Sequence, residues 1–231
     1  MTVRLLAIDT SGDACSAALL IDSAVTQRLS REPRRHGELI LSMVEALLAE
    51  AGTGLAALDG IAFGRGPGSF TGVRIAAAVT QGLAFGADLP VVPVSTLAGL
   101  AQGHHRRRDV RRSIAAVDAR MGELYWGAHL LDHERLMRLS GVEEVAPAER
   151  VELPTGDGWH GVGSGWAAYG DVLRRRLAGR LETTEADALC EARDIAALAA
   201  ADLRAGRAVG PELALPVYLR EEVAWQGGPK G

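Results

Sequence analysis

Apolar and polar positions along the chain fall into short blocks with two different periods. Residues 3–8 form a brief apolar run rich in β-formers, stopped by "DTSGD" with Asp9 at its end. "CSAALLID" resumes the run at once, which predicts a hairpin turned at Gly12 and Asp13. Residues 25–29 are a candidate third strand. Across 38–51 the apolar residues Leu39, Ile40, Met43, Val44, Leu47 and Leu48 recur at helical spacing, closed by Gly52. "LDGIAFG" reads as a buried strand. "FTGVRIAAAVTQGLAFG" reads as a helix ended by Gly86. "PVVPV" is a short strand, and "STLAGLA" opens a helix with Ser95 as its N-cap.

The pattern then restarts. "HHRRRDVRR", residues 104–112, reads as an exposed boundary, which places the domains at 1–103 and 104–231. "SIAAVDARMGELYWGAHLL" is strand, turn and strand, with Asp118 at the turn. "WHGVGSGW" is a Gly-rich strand end ahead of the helix "AAYGDVLRRRLAG", and "RDIAALAAADLRAG" is a further helix. Each half thus begins with a strand ending in Asp, a turn and a strand, and later carries a Gly-rich strand-to-helix junction. This is a weak internal duplication, and it predicts two α/β domains side by side, each with its own mixed sheet. The tail of the second is free to pack back on the first.

Composition narrows the class. The 231 residues are 48% hydrophobic with a formal net charge of −4, enough for a real core and against a protein coated by nucleic acid. Lys230 is the only lysine, so cationic contacts fall to arginine. Cys15 and Cys190 are far apart and suit a reducing compartment. The N-terminal apolar stretch is too short for a signal peptide, and no apolar run approaches the ~20 residues of a membrane span. The expectation is a soluble cytoplasmic protein.

"GRGPGSFTG", residues 64–72, is the densest chemical signal. Gly66, Gly68 and Gly72 permit positive φ and close approach, and Ser69 or Thr71 can cap the following helix. Free N–H groups at such a helix start attract anions, so one reading is phosphate contact. The other is a tight strand-to-helix turn, and the two are near even. The loop lacks the Lys-Ser/Thr of a P-loop and the dinucleotide spacing. In "DTSGD", Asp9 with Thr10 and Ser11 has the donors to hold Mg²⁺ through waters, or simply builds the hairpin turn. Asp9, Thr10, Ser11, Gly66, Gly68 and Ser69 are therefore the candidate nucleotide residues. Other constellations are poor. His36 reads as a surface residue at a helix start, and the adjacent pair His104–His105 lacks ligand spacing. His129 and His133 have no third ligand. Cys15 reads as a small buried hydrophobe, and "GSFTG" is not a hydrolase elbow. The basic run 106–112 reads as a solvated interdomain loop sooner than an RNA contact.

Taken together, "LLAIDTSGDACSAAL", "GRGPGSFTGVRIAAAVTQGLA", "PVVPVSTLAGLA", "VDARMGELYW" and "PVYLRE" resemble the TsaB family, also called YeaZ, over nearly the whole chain. The resemblance implies an actin/hexokinase/Hsp70-like (ASKHA) fold of two related α/β halves. It implies a noncatalytic subunit of the bacterial machinery that makes threonylcarbamoyladenosine in tRNA, beside the anticodon. Such subunits pair with a TsaD-like catalytic relative, which a TsaE-like ATPase joins, and touch tRNA only through the complex. The catalytic relative carries a metal-binding N-H-L-E-G-H. The matching stretch here is "STLAGL", with Thr96 and Leu100 at the histidine positions, so no metal is expected. No cofactor is required, although weak nucleotide binding is allowed. The alternatives are an ATPase or phosphotransferase of the same fold, or a glycoprotease-like peptidase. Family members also pair through their N-terminal helices, as homodimers or with the catalytic subunit. The candidate interface here is Leu39, Met43, Leu47, Gly72, Ala76, Ala77 and Val79, including whichever of Ala76, Ala77 and Ala78 faces outward.

Overall fold

A computed structural model of the protein describes residues 3–32 and 34–220. The first sheet is built from β1 (Arg4–Asp9), β2 (Cys15–Ile21), β3 (Ala24–Ser30), β4 (Gly60–Gly64) and β5 (Val91–Val94), in the order β3-β2-β1-β4-β5. β3, β2 and β1 are antiparallel neighbours, whereas β1, β4 and β5 run parallel. The second sheet uses β6 (Arg112–Arg120), β7 (Glu123–Leu131), β8 (Met137–Leu139), β9 (Glu144–Pro147), β10 (Trp159–Val162) and β11 (Leu181–Glu185). Its order is β11-β10-β6-β7-β8, with β9 also on β7. Hairpin pairing is again antiparallel, and β6, β10 and β11 are parallel. The two sheets share one plan, and the duplication seen in the sequence is a real repeat of topology.

Period-two alternation explains how the first sheet is covered on both faces. Leu6 and Ile8 turn to one side and pack with Phe63 against α1 (His36–Glu50) and α2 (Phe70–Ala87). Leu5 and Ala7 turn to the other and meet Ile195, Leu198 and Ala199 of α5 (Ala192–Arg204). In the second sheet Ile114 and Trp126 pack with Leu173 and Leu177 of α4 (Gly165–Leu177). On its other face Ala115 and Val162 meet Leu97 and Leu100 of α3 (Thr96–Arg108). The final helix of each half therefore covers the other half's sheet: α3 lies on β6 and β7, and α5 lies on β1, β2 and β4. The layers run α1 and α2, first sheet, α5 and α3, second sheet, α4. The chain end returns too, with Val209 bridging Val91 and Val217 donating its N–H to Arg65 O.

Several expectations need correction. The proposed exposed boundary at residue 104 lies inside α3, and His104 and His105 are buried. The His104 imidazole accepts or donates at Ser113 Oγ (2.8 Å), and burial lowers its pKa to about 4. Of the basic run 106–112, residues 106–108 close α3 instead of forming a loop, and most of the run stays exposed while three of its arginines are paired. Arg106 grips Asp194 with two bonds of 2.8 and 3.0 Å, Arg107 reaches Glu185 at 3.1 Å, and Arg112 donates to Asp157 O at 2.8 Å. Gly86 does not end α2; the helix runs one residue further and Asp88 caps it at φ 53°. Asp118 lies within β6, and the turn is Met121–Gly122, both at positive φ, the geometry of a tight two-residue hairpin.

The Arg106–Asp194 pair ties α3 to α5. Asp194 is 2% exposed, and burial raises its carboxyl pKa while Arg106 pulls it down. Arg106→Ala leaves that carboxylate buried without its fork. The loss expected is roughly 2–3 kcal/mol, below the about 3–5 kcal/mol typical of a broken buried pair because part of the Arg106 side chain is in water. Denaturant unfolding of Arg106→Ala and of Arg106→Ala with Asp194→Leu measures it, and the double variant should recover much of the loss.

Candidate functional site at the glycine loop

The carboxyl ends of β1, β4 and β5 lie at one edge of the first sheet, and both candidate loops sit there. β1 ends at Asp9 and leads into Thr10 and Ser11; β4 ends at Gly64 and leads through Gly66, Pro67 and Gly68 into α2. The Gly66–Pro67 peptide is cis. Ser69 caps α2, its Oγ accepting from Gly72 N at 3.4 Å, so Ser69 and not Thr71 fills the capping role.

The two loops are bolted to one another. Ser69 N donates to Ser11 O at 2.7 Å, and Thr10 Oγ1 donates to Gly72 O at 2.7 Å. A Cβ at Gly68 would collide with Ser11 O, and one at Gly72 with Thr10 O. Gly66 has φ +101°, and its position faces Val217 O, 2.9 Å from where a Cβ would stand. Thr96 N donates to Gly66 O at 3.0 Å. The close approaches that these glycines permit are thus made by the protein's own backbone. Of the two readings open from sequence, the packing joint accounts for all three positions.

Asp9 lies beneath this joint and is 1% exposed. Gly64 has no side chain because Asp9 Oδ1 fills the space. Oδ1 accepts from Ser11 Oγ at 2.8 Å, while Oδ2 is buried and has no hydrogen-bond partner among the described residues. Burial raises the Asp9 pKa to about 7, opposed by Ser11 and by the nearby Cys190 thiol. Burial and the Asp9 charge in turn push the Cys190 thiol well above its usual range. Cys190, just ahead of α5, is a neighbour that the sequence does not announce. Glu143 is another. The Ser95 side chain caps α3 by accepting from Leu97 N and Ala98 N at 3.1 and 3.3 Å, and its hydroxyl donates to Glu143 Oε1. Burial raises the Glu143 pKa, while Ser95 and Arg65 oppose it.

Thr96 and Leu100 are both buried. Leu100 packs with Leu97, Ala115 and Val162, and Thr96 Oγ1 has no hydrogen-bond partner among the described residues. Among the described residues no group of three or more His, Cys, Asp or Glu side chains is placed to hold a metal ion. His129 is buried with Nδ1 at 3.2 Å from Gly127 O, and its pKa is lowered to about 4 by burial.

The candidate interface residues divide. Leu47, Ala76 and Ala77 are core residues, and Gly72 is buried beneath Thr10, so these four face away from any partner. Of three consecutive alanines on a helix, two fall within the stripe that faces the sheet, leaving Ala78 as the exposed one. Leu39, Met43 and Val79 are half-buried against the same core. The outward apolar residues of α1 and α2 are Leu41, Phe70 and Phe85.

Comparison with known proteins follows the same lines. Residues 30–227 match the family model of TsaD, tRNA N6-adenosine threonylcarbamoyltransferase. The chain is 41% identical to the tRNA threonylcarbamoyladenosine biosynthesis protein TsaB of Escherichia coli strain K12, over 98% of this chain and 99% of the relative. It is 37% identical to the protein of the same name from Haemophilus influenzae, over 98% of each. Among solved structures, YeaZ from Pseudomonas aeruginosa superposes with a TM-score of 0.88 at 47% identity, covering 94% of this chain and 100% of that one. A second structure from that organism, of an uncharacterized protein with similarity to peptidase YEAZ, gives 0.89 at the same identity and coverage.

The raised Asp9 pKa has a measurable consequence. A carboxyl that is harder to ionise when folded contributes stability that is complete below about pH 4 and lost as pH rises through about 7. The neutral isostere Asp9→Asn lacks that loss. The stability of the wild type minus that of Asp9→Asn should fall by roughly 2–3 kcal/mol between pH 5 and pH 8. Urea unfolding of both proteins at the two pH values tests this, and a flat difference would mean that Asp9 is ionised throughout.

Proposed function

The chain belongs to the TsaB/YeaZ family of tRNA threonylcarbamoyladenosine biosynthesis proteins, and on that footing we propose that it is the noncatalytic scaffold and activator of the transferase complex. In this reading it pairs with a TsaD-like catalytic subunit, supports binding of a TsaE-like ATPase, and meets tRNA through the assembly. It acts in the cytoplasm, where tRNA is modified; among the described residues no helix is long and apolar enough to cross a membrane.

The observation that carries this reading is the start of α3. The stretch matching the metal motif of the catalytic relative places Leu100 in an apolar cluster and Thr96 in a buried position. Leucine offers no donor atom, and a threonine hydroxyl is a poor ligand for Zn²⁺ or Fe²⁺. The glycine joint supports the same view. A carboxylate that holds Mg²⁺ beside a phosphate has to be ionised and reachable, whereas Asp9 is covered and hard to ionise. The fold was kept, and its mouth serves packing.

A scaffold can still be indispensable, because presenting a catalytic subunit in its active arrangement stabilises that arrangement by the binding energy of the pair. Reconstitution with each subunit omitted in turn is the direct test. The catalytic subunit without this chain should give little tRNA threonylcarbamoylation, and addition of this chain should restore it. The purified chain should hold no stoichiometric Zn²⁺ or Fe²⁺ by elemental analysis. Near one metal per chain surviving mild chelation, or threonylcarbamoyl transfer by this chain alone, would sink the noncatalytic reading.

A further inference from the structure

Two exposed aromatic side chains from separate elements meet beside the glycine loop, and a third exposed apolar side chain is linked to the C-terminal strap through Arg220. Phe70 opens α2 and is 65% exposed; Tyr218, on the returning C-terminal strap, is 46% exposed; Met121, at the tip of the β6–β7 hairpin, is 86% exposed. The Phe70 and Tyr218 rings lie 6.0 Å apart. Arg74, one turn into α2, places its guanidinium carbon 3.2 Å from the Phe70 ring centre and 5.0 Å from that of Tyr218. Two residues past Tyr218, Arg220 reaches Met121 Sδ at 3.8 Å, Glu123 Oε2 at 3.1 Å and Ala119 O at 3.2 Å.

The arrangement is held, not loose. The strap is fastened by Val217 N to Arg65 O at 2.8 Å on one side of Tyr218 and by Arg220 on the other. Arg74 spends one N–H on Phe70 O at 3.3 Å, and among the described residues it pairs with no carboxylate. A guanidinium against aromatic faces is weakly hydrated and pre-oriented, and its remaining donors match a carboxylate fork. Aromatic residues, methionine and arginine are also the types enriched at protein interfaces. The neighbouring Arg120 and Arg220 are already paired with Asp118 and Glu123. One unpaired cation is too few to track a phosphate backbone, which favours a protein over RNA.

We propose that Phe70, Arg74, Tyr218 and Met121 form an anchor site for a protein segment that presents a carboxylate next to an apolar side chain, supplied by the TsaD-like subunit. The site draws on the start of α2, the returning strap and the β6–β7 hairpin, so it spans both halves. It rests on the pairing proposed above, and the experiment separates the two. Titration calorimetry of the full chain with the TsaD-like subunit of the same cell is run at low and moderate salt. Arg74→Ala and Tyr218→Ala are each expected to weaken binding about thirtyfold, the loss usual for a central interface contact. Tyr218→Phe keeps the ring and should bind within about twofold of wild type, and Arg74→Ala should flatten the salt dependence. Arg74 is exposed, so its variant tests the site even where Tyr218→Ala loosens the strap. Wild-type affinity in both folded alanine variants overturns the anchor and leaves the pairing standing. Failure of the wild type to bind the subunit overturns both. Variants that keep subunit affinity but lose affinity for a tRNA transcript overturn the anchor in favour of RNA. Restored binding on removing residues 221–231 from the variants would make the chain's own end the occupant, and overturn it too.

Discussion

Two backbone carbonyls, those of Thr10 and Ser11, lie where side chains on Gly72 and Gly68 would otherwise stand. Much of the first half is arranged around that contact. It fixes the loop after β1 against the start of α2, which sets where α2 crosses the sheet. It seals Asp9 beneath Ser11 and gives the carboxyl its raised pKa. Through Gly66 the same loop receives Val217 and the first amide of α3, so both chain halves are referred to it. A backbone-to-backbone joint of this kind tolerates no Cβ, which is why glycine recurs at those positions.

Elements with a strong period are legible in the amino-acid pattern alone. α1 shows Ile40, Val44 and Leu47 on its buried face, and β1 and β2 are apolar runs broken by a turn. β8, β9 and β11 give no such signal. They are short, and "LETTE" of β11 offers one apolar residue and no alternation to read. Residue 104 falls inside α3, where the paired histidines are buried although the sequence offers no sign of it. His104 is tolerated between layers because Ser113 faces it, and Arg106 and Arg107, at the layer's edge, find Asp194 and Glu185, partners that lie on other elements. At the site, the loops carrying Asp9 and Gly68 are each visible in the sequence, but their contact is not. Cys190 and Glu143 carry no motif at all. The buried members of the interface set illustrate a further limit: local spacing gives a helix face without saying what covers it.

The two halves follow one plan yet differ in how that plan is used. In both, a hairpin, a parallel strand and a helix recur. In the first half the strand-to-helix junction has become a closed joint, with Ser69 capping α2. In the second, Gly163 and Gly165 bring α4 close against Ala116, and the Ser164 hydroxyl accepts from Asp118 N. Both junctions are filled by the protein itself. What is left for recognition is the outer surface, where Phe70, Phe85, Leu41 and Met121 remain uncovered.

The exchange of α3 and α5 between the sheets also sets the order of events during synthesis. The face of the first sheet that carries Leu5, Ala7, Ala62 and Val92 waits for a cover, α5, made about a hundred residues later, which is roughly 5–20 s at ribosomal speeds of about 5–20 residues per second. For that interval a nascent chain presents an apolar sheet face that no local segment can hide. Helpers that hold nascent chains have a natural substrate in this gap. A chain cut between its apparent halves would keep the gap open for good.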